Sequence, residues 1–131
     1  MMKLITEELL DTVTSQAKEN SRLRMNYNFH ASMDAPIHRL LNALEPGTVL
    51  PIHRHRKTSE TVAILRGRAV QYLYDDNGCE TDSVLLEAGG EVPAMQVEMG
   101  QWHRLEALES GTVIVEFKNG AYEPIGPEDI L

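Results

Sequence analysis

The chain has 131 residues, enough for one domain that buries about two-thirds of its unfolded surface around a single core. Its 12 Lys and Arg against 20 Asp and Glu give a net charge of −8, which argues against nucleic acid or an anionic membrane as the main partner and for a small-molecule or protein-binding role. The lone cysteine, Cys79, has no internal disulfide partner, and no signal-type apolar start or membrane-length apolar run is present, so a cytoplasmic protein is expected.

Residues 4–20 read as a helix with Thr6 as N-cap, Glu7 and Glu8 in the first turn, and an apolar stripe of Leu9, Leu10, Val13 and Ala17. It is expected to pack on the outside of the domain. Next, RLRMNYNFH (22–30) alternates Met25, Tyr27 and Phe29 with Arg24, Asn26, Asn28 and His30, the period of a strand. Its polar face either meets water or lines a pocket and offers Asn28 and His30 to a substrate. The run IHRLLNAL is a further strand, in which His38 has no companion at ligand spacing and reads as a partly buried or surface histidine.

Val49 to His55 also reads as strand, so His53 and His55 leave the same face as a preformed pair of metal ligands. By the same alternation Arg54 and Arg56 point away, toward solvent or a partner subunit. The plainer reading of HRHRK is a solvated basic loop or an anion site. Glu60 offers a hard oxygen ligand, and turned inward with Val62 and Ile64 it needs compensation, because an unpaired buried charge is costly. A metal supplies it.

From Arg68 two strands join at Asp75-Asp76-Asn77-Gly78, where Asn-Gly marks a hairpin. Arg68, Val70, Tyr72 and Tyr74 share one face there, and Tyr72 is a candidate substrate contact if that face lines a pocket. Residues 89–100 carry turn signals, and Gly100-Gln101-Trp102-His103 then supplies a third histidine with Trp102 on the opposite face. Residues 111–118 form a last strand. The tail 119–131, with two prolines and two glycines, is an irregular strap that either closes over the barrel or hangs loose. The pattern predicts a single all-β domain over 1–131: a helix to residue 21, a sandwich or barrel over 22–118, and the tail.

The spacing G-x5-H-x-H-x4-E-x6-G from Gly47 to Gly67 resembles the first signature of the cupin superfamily. The stretch ending at His103 resembles the second, with Glu98 in place of the usual proline, Val92 of the first glycine and Ala107 of the final asparagine. The segments LITEELL, RLRMNYNFH, RLLNALEPGT, HRHRKTSET and GQWHRLEALESGTVIVE resemble, more closely, the WbuC-type cupin fold metalloproteins. The resemblance implies a cupin double-stranded β-helix, or jelly-roll barrel, with metal ligands at His53, His55, Glu60 and His103. It also implies a small bacterial protein sometimes encoded near O-antigen polysaccharide genes, and it carries over no reaction. The RLRMNYNFH segment, absent from generic cupins, adds weight to Asn28 and His30 as substrate residues.

Such a site holds one divalent transition metal ion, Fe, Mn, Ni, Co or Zn, with one or two positions open. The leading expectation is a metal-dependent isomerase, hydrolase or oxygenase acting on a small oxygen-rich metabolite such as a sugar derivative or hydroxy acid. The alternatives are a non-catalytic, metal-supported small-molecule sensor, and a metal that only holds the barrel closed. Exposed sheet edges make a homodimer the expected assembly.

Overall fold

The computed structural model describes residues 1–131. Helix α1 (Glu7–Glu19) starts where the Thr6 side chain accepts the Leu9 N–H at 3.1 Å, and its acidic first turn suits the positive end of the helix dipole. Leu10, Val13, Thr14 and Ala17 form its buried stripe. Arg66 pins the helix from outside, through an ion pair with Glu7 and a 2.8 Å contact with Asp11.

Eight strands follow: β1 (Arg24–Asn28), β2 (Ile37–Leu44), β3 (Glu60–Arg66), β4 (Arg68–Tyr74), β5 (Glu80–Glu87), β6 (Ala94–Val97), β7 (Trp102–Ala107) and β8 (Thr112–Asn119). They form a five-stranded sheet in the order β1-β2-β8-β3-β6 and a three-stranded sheet in the order β5-β4-β7, all pairs antiparallel. This is the all-β cupin jelly roll with one N-terminal helix.

Alternation along each strand builds two cores. On β2 and β8, Leu41, Ala43, Val113 and Val115 point outward and pack under Leu10, Val13 and Ala17 of the helix. The opposite faces point inward, where Leu44, Val62, Ile64 and Ile114 of the large sheet meet Ala69, Leu86 and Leu105 of the small one. The inward faces of β3, β7 and β8 turn from apolar to polar toward one end of this interior, and there the site lies. Gly67 permits the sharp β3–β4 reversal with a φ of +84°, a conformation that strains any residue with a Cβ.

Two expectations need correction and a third needs an addition. The predicted strand Val49–His55 is not a ladder: only His53 makes a bridge, antiparallel to His103 on one side and Ile130 on the other. Pro51 has no N–H to contribute. Second, residues 94–97, read as part of a turn region, form β6, which pairs with β3 through Glu60–Val97 and Val62–Met95. Third, Arg54 and Arg56 do point away from the histidine cavity, and Arg56 stays half exposed, but both also donate to Asp129 of the tail, a contact the alternation did not indicate. The tail is the strap that closes: Leu131 N–H donates to Ile52 O at 2.9 Å and Arg54 N–H to Asp129 O at 3.1 Å. No helix of the chain is long and apolar enough to cross a membrane.

Candidate metal centre

His53 sits in the irregular segment after Pro51, and His103 is the second residue of β7. Their backbones exchange two hydrogen bonds, at 3.1 and 2.9 Å. That bridge brings the ring centroids to 4.3 Å, and His55 closes the cluster at 5.2 Å from His53 and 5.7 Å from His103. One ring nitrogen from each lies within 4.8 Å of the others.

The hydrogen bonds fix which nitrogen faces inward. His53 Nδ1 is 2.9 Å from Pro51 O, and His103 Nδ1 is 2.8 Å from Gln101 O, in each case the carbonyl two residues back. A carbonyl only accepts, so both Nδ1 atoms carry the proton and both Nε2 atoms keep a lone pair. His103 Nε2 is buried and has no partner. Burial, with the neighbouring rings and Lys118 adding to it, pushes His53 down to about 4 and His55 to about 3; burial lowers His103 as well. At neutral pH the three imidazoles are therefore neutral, and the His103 Nε2 lone pair, buried without a partner, is one that a cation can satisfy. The donor set fits a borderline transition metal.

Glu60, the first residue of β3, brings Oε2 to 3.6 Å from His55 Nε2, with 14% of its side chain exposed. Burial raises its pKa and the Lys118 ammonium, its cross-strand partner, lowers it. The carboxylate borders the same cavity of about 200 Å³ as the three rings. Thus the three histidines cluster within ligand reach of one another, and Glu60 lies beside His55 on the wall of the same cavity.

The three expected substrate residues lie outside that cavity. Tyr72 pairs with Arg104 and Ser83 on the outer face of the small sheet, where the Arg104 guanidinium lies 4.9 Å from its ring centroid. Alternation gives the inward face of β4 to Ala69, Gln71 and Leu73 instead. His30 stacks on His38 at 4.0 Å with its Nδ1 3.2 Å from both the N–H and the O of Arg39, its Nε2 is buried without a partner, and it does not line the cavity. Asn28 lies exposed on edge strand β1, opposite Leu40, which is in turn opposite Glu116; it shares the concave face without reaching the cavity.

Sequence reasoning missed the polar residues that do line the cavity: Asn42, Gln71, Glu116 and Lys118. Burial and the nearby Glu60 raise the pKa of Glu116, while Asn42 and Lys118 oppose that shift. Asn42 Oδ1 and Gln71 Nε2 are buried without partners. The signal was available, since each occupies an inward position of an otherwise apolar strand, as in Ile114-Val115-Glu116. A polar residue there needs a partner, and a ligand is one.

Several solved structures share the fold. The capsular polysaccharide assembling protein CapF from Staphylococcus aureus superposes with a TM-score of 0.61 at 18% identity over 81% of this chain and 28% of its own. Bacillus subtilis oxalate decarboxylase, in a structure concerned with its Mn(II) centres, gives 0.58 at 17% identity over 77% of this chain and 26% of its own. The Cnp3 cupin domain of Schizosaccharomyces pombe gives 0.58 at 9% identity, covering 76% and 65%. These likenesses establish the cupin fold, and the chain spans only about a quarter of the first two proteins. No curated protein matches. The family model described as a domain of unknown function (DUF6016) matches residues 5–86, more than half of the chain, which therefore belongs to that family.

Proposed function

We propose that the chain is a metal-dependent enzyme acting on a small oxygen-rich metabolite, such as a sugar derivative or hydroxy acid, with one divalent transition metal ion held by His53, His55, His103 and Glu60. The observation that carries this reading is the pair of fixed tautomers: Nδ1 of His53 and of His103 is spent on a backbone carbonyl, and the buried Nε2 of His103 faces the other rings without a partner. With no thiolate in the set, Fe, Mn, Ni, Co and Zn all suit it. Mn(II) in the structurally similar oxalate decarboxylase supports that range. When bound, the ion supplies Lewis acidity toward substrate oxygens.

The chain's own residues supply the rest. Glu116, with its pKa raised by burial, holds a proton at its carboxyl group and can pass it to or from a substrate hydroxyl. Lys118 and Gln71 point donors into the same space. A cavity of about 200 Å³ admits only a small group, below the usual size of drug-like pockets. The CapF likeness and the WbuC-type segments support a link to surface polysaccharide biosynthesis. A cytoplasmic homodimer, paired through exposed sheet edges, is part of the proposal.

The test is the metal content of tag-free protein by elemental mass spectrometry, for wild type and for His53→Ala with His103→Ala. Near-stoichiometric metal lost in the variant is expected, and a metal-free wild type would sink the reading. Wild-type protein is then incubated with candidate sugars and hydroxy acids. Ligand recovered bound but chemically unchanged would move the protein from enzyme to sensor.

A further inference from the structure

In the run His53-Arg54-His55-Arg56 the arginines alternate with the candidate ligands, and both guanidiniums close on a single carboxylate oxygen. Asp129 Oδ1 accepts from Arg54 Nε at 2.9 Å and from Arg56 Nε at 2.6 Å. Arg54 is held in place for this contact. Its guanidinium lies 4.4 Å from the Trp102 ring centroid, and Trp102 Nε1 donates to Asp76 at 3.0 Å.

These contacts occupy a recess of about 280 Å³ that shares His55 and Lys118 with the histidine cavity. Arg54, Arg56, Lys57 and Lys118 line it, four of the 12 Lys and Arg in a chain of net charge −8. Such a concentration repels itself unless an anion answers it. Every acidic residue of the recess, Glu123, Glu128 and Asp129, comes from the C-terminal strap. The strap therefore lays an internal anion over a cationic floor.

The strap's fixings hold its main chain, Glu128 O included at 3.4 Å from Arg54 Nη2, and leave the Asp129 side chain as the contact a ligand can displace. Gly120 N–H to Pro36 O and Tyr122 N–H to Met33 O hold its start, and Leu131 N–H to Ile52 O and Arg54 N–H to Asp129 O hold its end. Between these points the backbone bonds lie within the strap itself, Asp129 N–H to Gly126 O and Ile130 N–H to Pro127 O. Asp129 also meets the arginines with only one oxygen. A guanidinium presents a planar fork that matches two, so a mobile oxyanion can make the better fit.

We propose that this recess is the subsite for an oxyanion group of the ligand, a carboxylate or a phosphate, and that Asp129 occupies it until the ligand displaces it. The inference builds on the metal-centre reading for the remainder of the ligand. Through the shared wall of His55 and Lys118, one small molecule can set its oxyanion on Arg54 and Arg56 and its neutral oxygens among the histidines.

The test titrates inorganic phosphate and, separately, D-glucuronate into tag-free protein, with D-glucose as the neutral control. Backbone amide shifts of residues 54–58 and of Gly126, Glu128 and Asp129 are followed by NMR in wild type, D129N and R54Q/R56Q, each with and without metal. D129N should bind at least one of the two anions about fivefold more tightly than wild type, R54Q/R56Q should show no saturable shift, and D-glucose alone should not displace the strap. Which anion responds separates a phosphate from a carboxylate ligand. Unchanged affinity in D129N, with amide shifts outside the recess matching wild type, overturns the proposal, as does wild-type affinity in R54Q/R56Q. Anion binding that survives metal removal, in a protein that proves to retain no metal, keeps this subsite and discards only the metal-centre reading.

Discussion

His53 and His103 are joined by their main chains, N–H to O in both directions, so the spacing of the two candidate ligands is set by backbone and not by side-chain packing. Replacing both rings by methyl groups leaves those bonds in place and removes a buried, unpartnered nitrogen. In metal-free protein at neutral pH, His53→Ala with His103→Ala should thus cost no more than about 1–2 kcal/mol. Added metal at a hundred times its Kd should stabilise wild type by about 2.7 kcal/mol and the variant by none. Urea unfolding with and without Mn(II) or Zn(II) reads both numbers. A large loss in the metal-free variant would instead mark the rings as structural.

Acid should weaken the metal-free protein through the same rings. His53 and His55 stay neutral in the fold down to about 4 and about 3, whereas the unfolded chain takes up those protons near the ordinary value of 6.5. Between pH 6.5 and 4 the unfolded state binds more protons, so stability present above 6.5 is lost as the pH falls through that window. Each histidine weighs on the order of 3 kcal/mol over the full shift. Glu60 and Glu116 act oppositely, since their raised values make the folded state the better proton binder. Comparing urea midpoints at pH 7.5 and 4.5 for wild type and for His53→Ala with His55→Ala isolates the histidine part: the variant should show the smaller acid loss.

The glycine at the β3–β4 turn makes a sharper stability test. A Cβ on Gly67 would stand 2.8 Å from Thr112 Cα, and Thr112 is fully buried on β8. Backbone cannot retreat there, so Gly67→Ala should cost about 3 kcal/mol or more, adding overlap to left-handed strain. Gly100, with a φ of +79° and nothing within 4 Å, carries only the strain. Gly100→Ala should cost about 1 kcal/mol. Equal losses in thermal unfolding would refute the steric part of the argument.

The residues at the centre were legible partly from local spacing and partly from the cupin resemblance that joins the distant His103 to the others. His53, His55 and Glu60 fall within one short run, and Gly100 announces the turn into His103. Elements with strong alternation, α1 and β8 among them, were legible from local spacing as well. What was not legible depends on facing: Tyr72 and Gln71 are neighbours on β4, and only the pairing of Leu73 with His103 reveals that the odd-numbered residues turn inward. The Val49–His55 ladder failed because its partners, His103 and Ile130, meet it at a single residue. The strap's grip on Arg54 and Arg56 joins distant parts of the chain and leaves no periodic trace.

Lys118 gives the last prediction, because its positive charge acts on four groups of the centre, His53, His55, Glu60 and Glu116. It stands opposite Glu60 in the β3–β8 ladder, opposes the rise that burial imposes on the Glu60 carboxyl, and helps push His53 and His55 down. Removing its charge lets Glu60 and both imidazoles take up protons at higher pH, and each must be deprotonated to bind a metal. The same removal ends a like-charge repulsion against the incoming cation. Lys118→Met should therefore bind metal at least as tightly as wild type near pH 8.5, yet lose it at a higher pH on acidification. Competition with a chelating dye from pH 8.5 to 5.5 measures both limbs. If the two proteins release metal along the same curve, Lys118 does not set the charge balance of the centre.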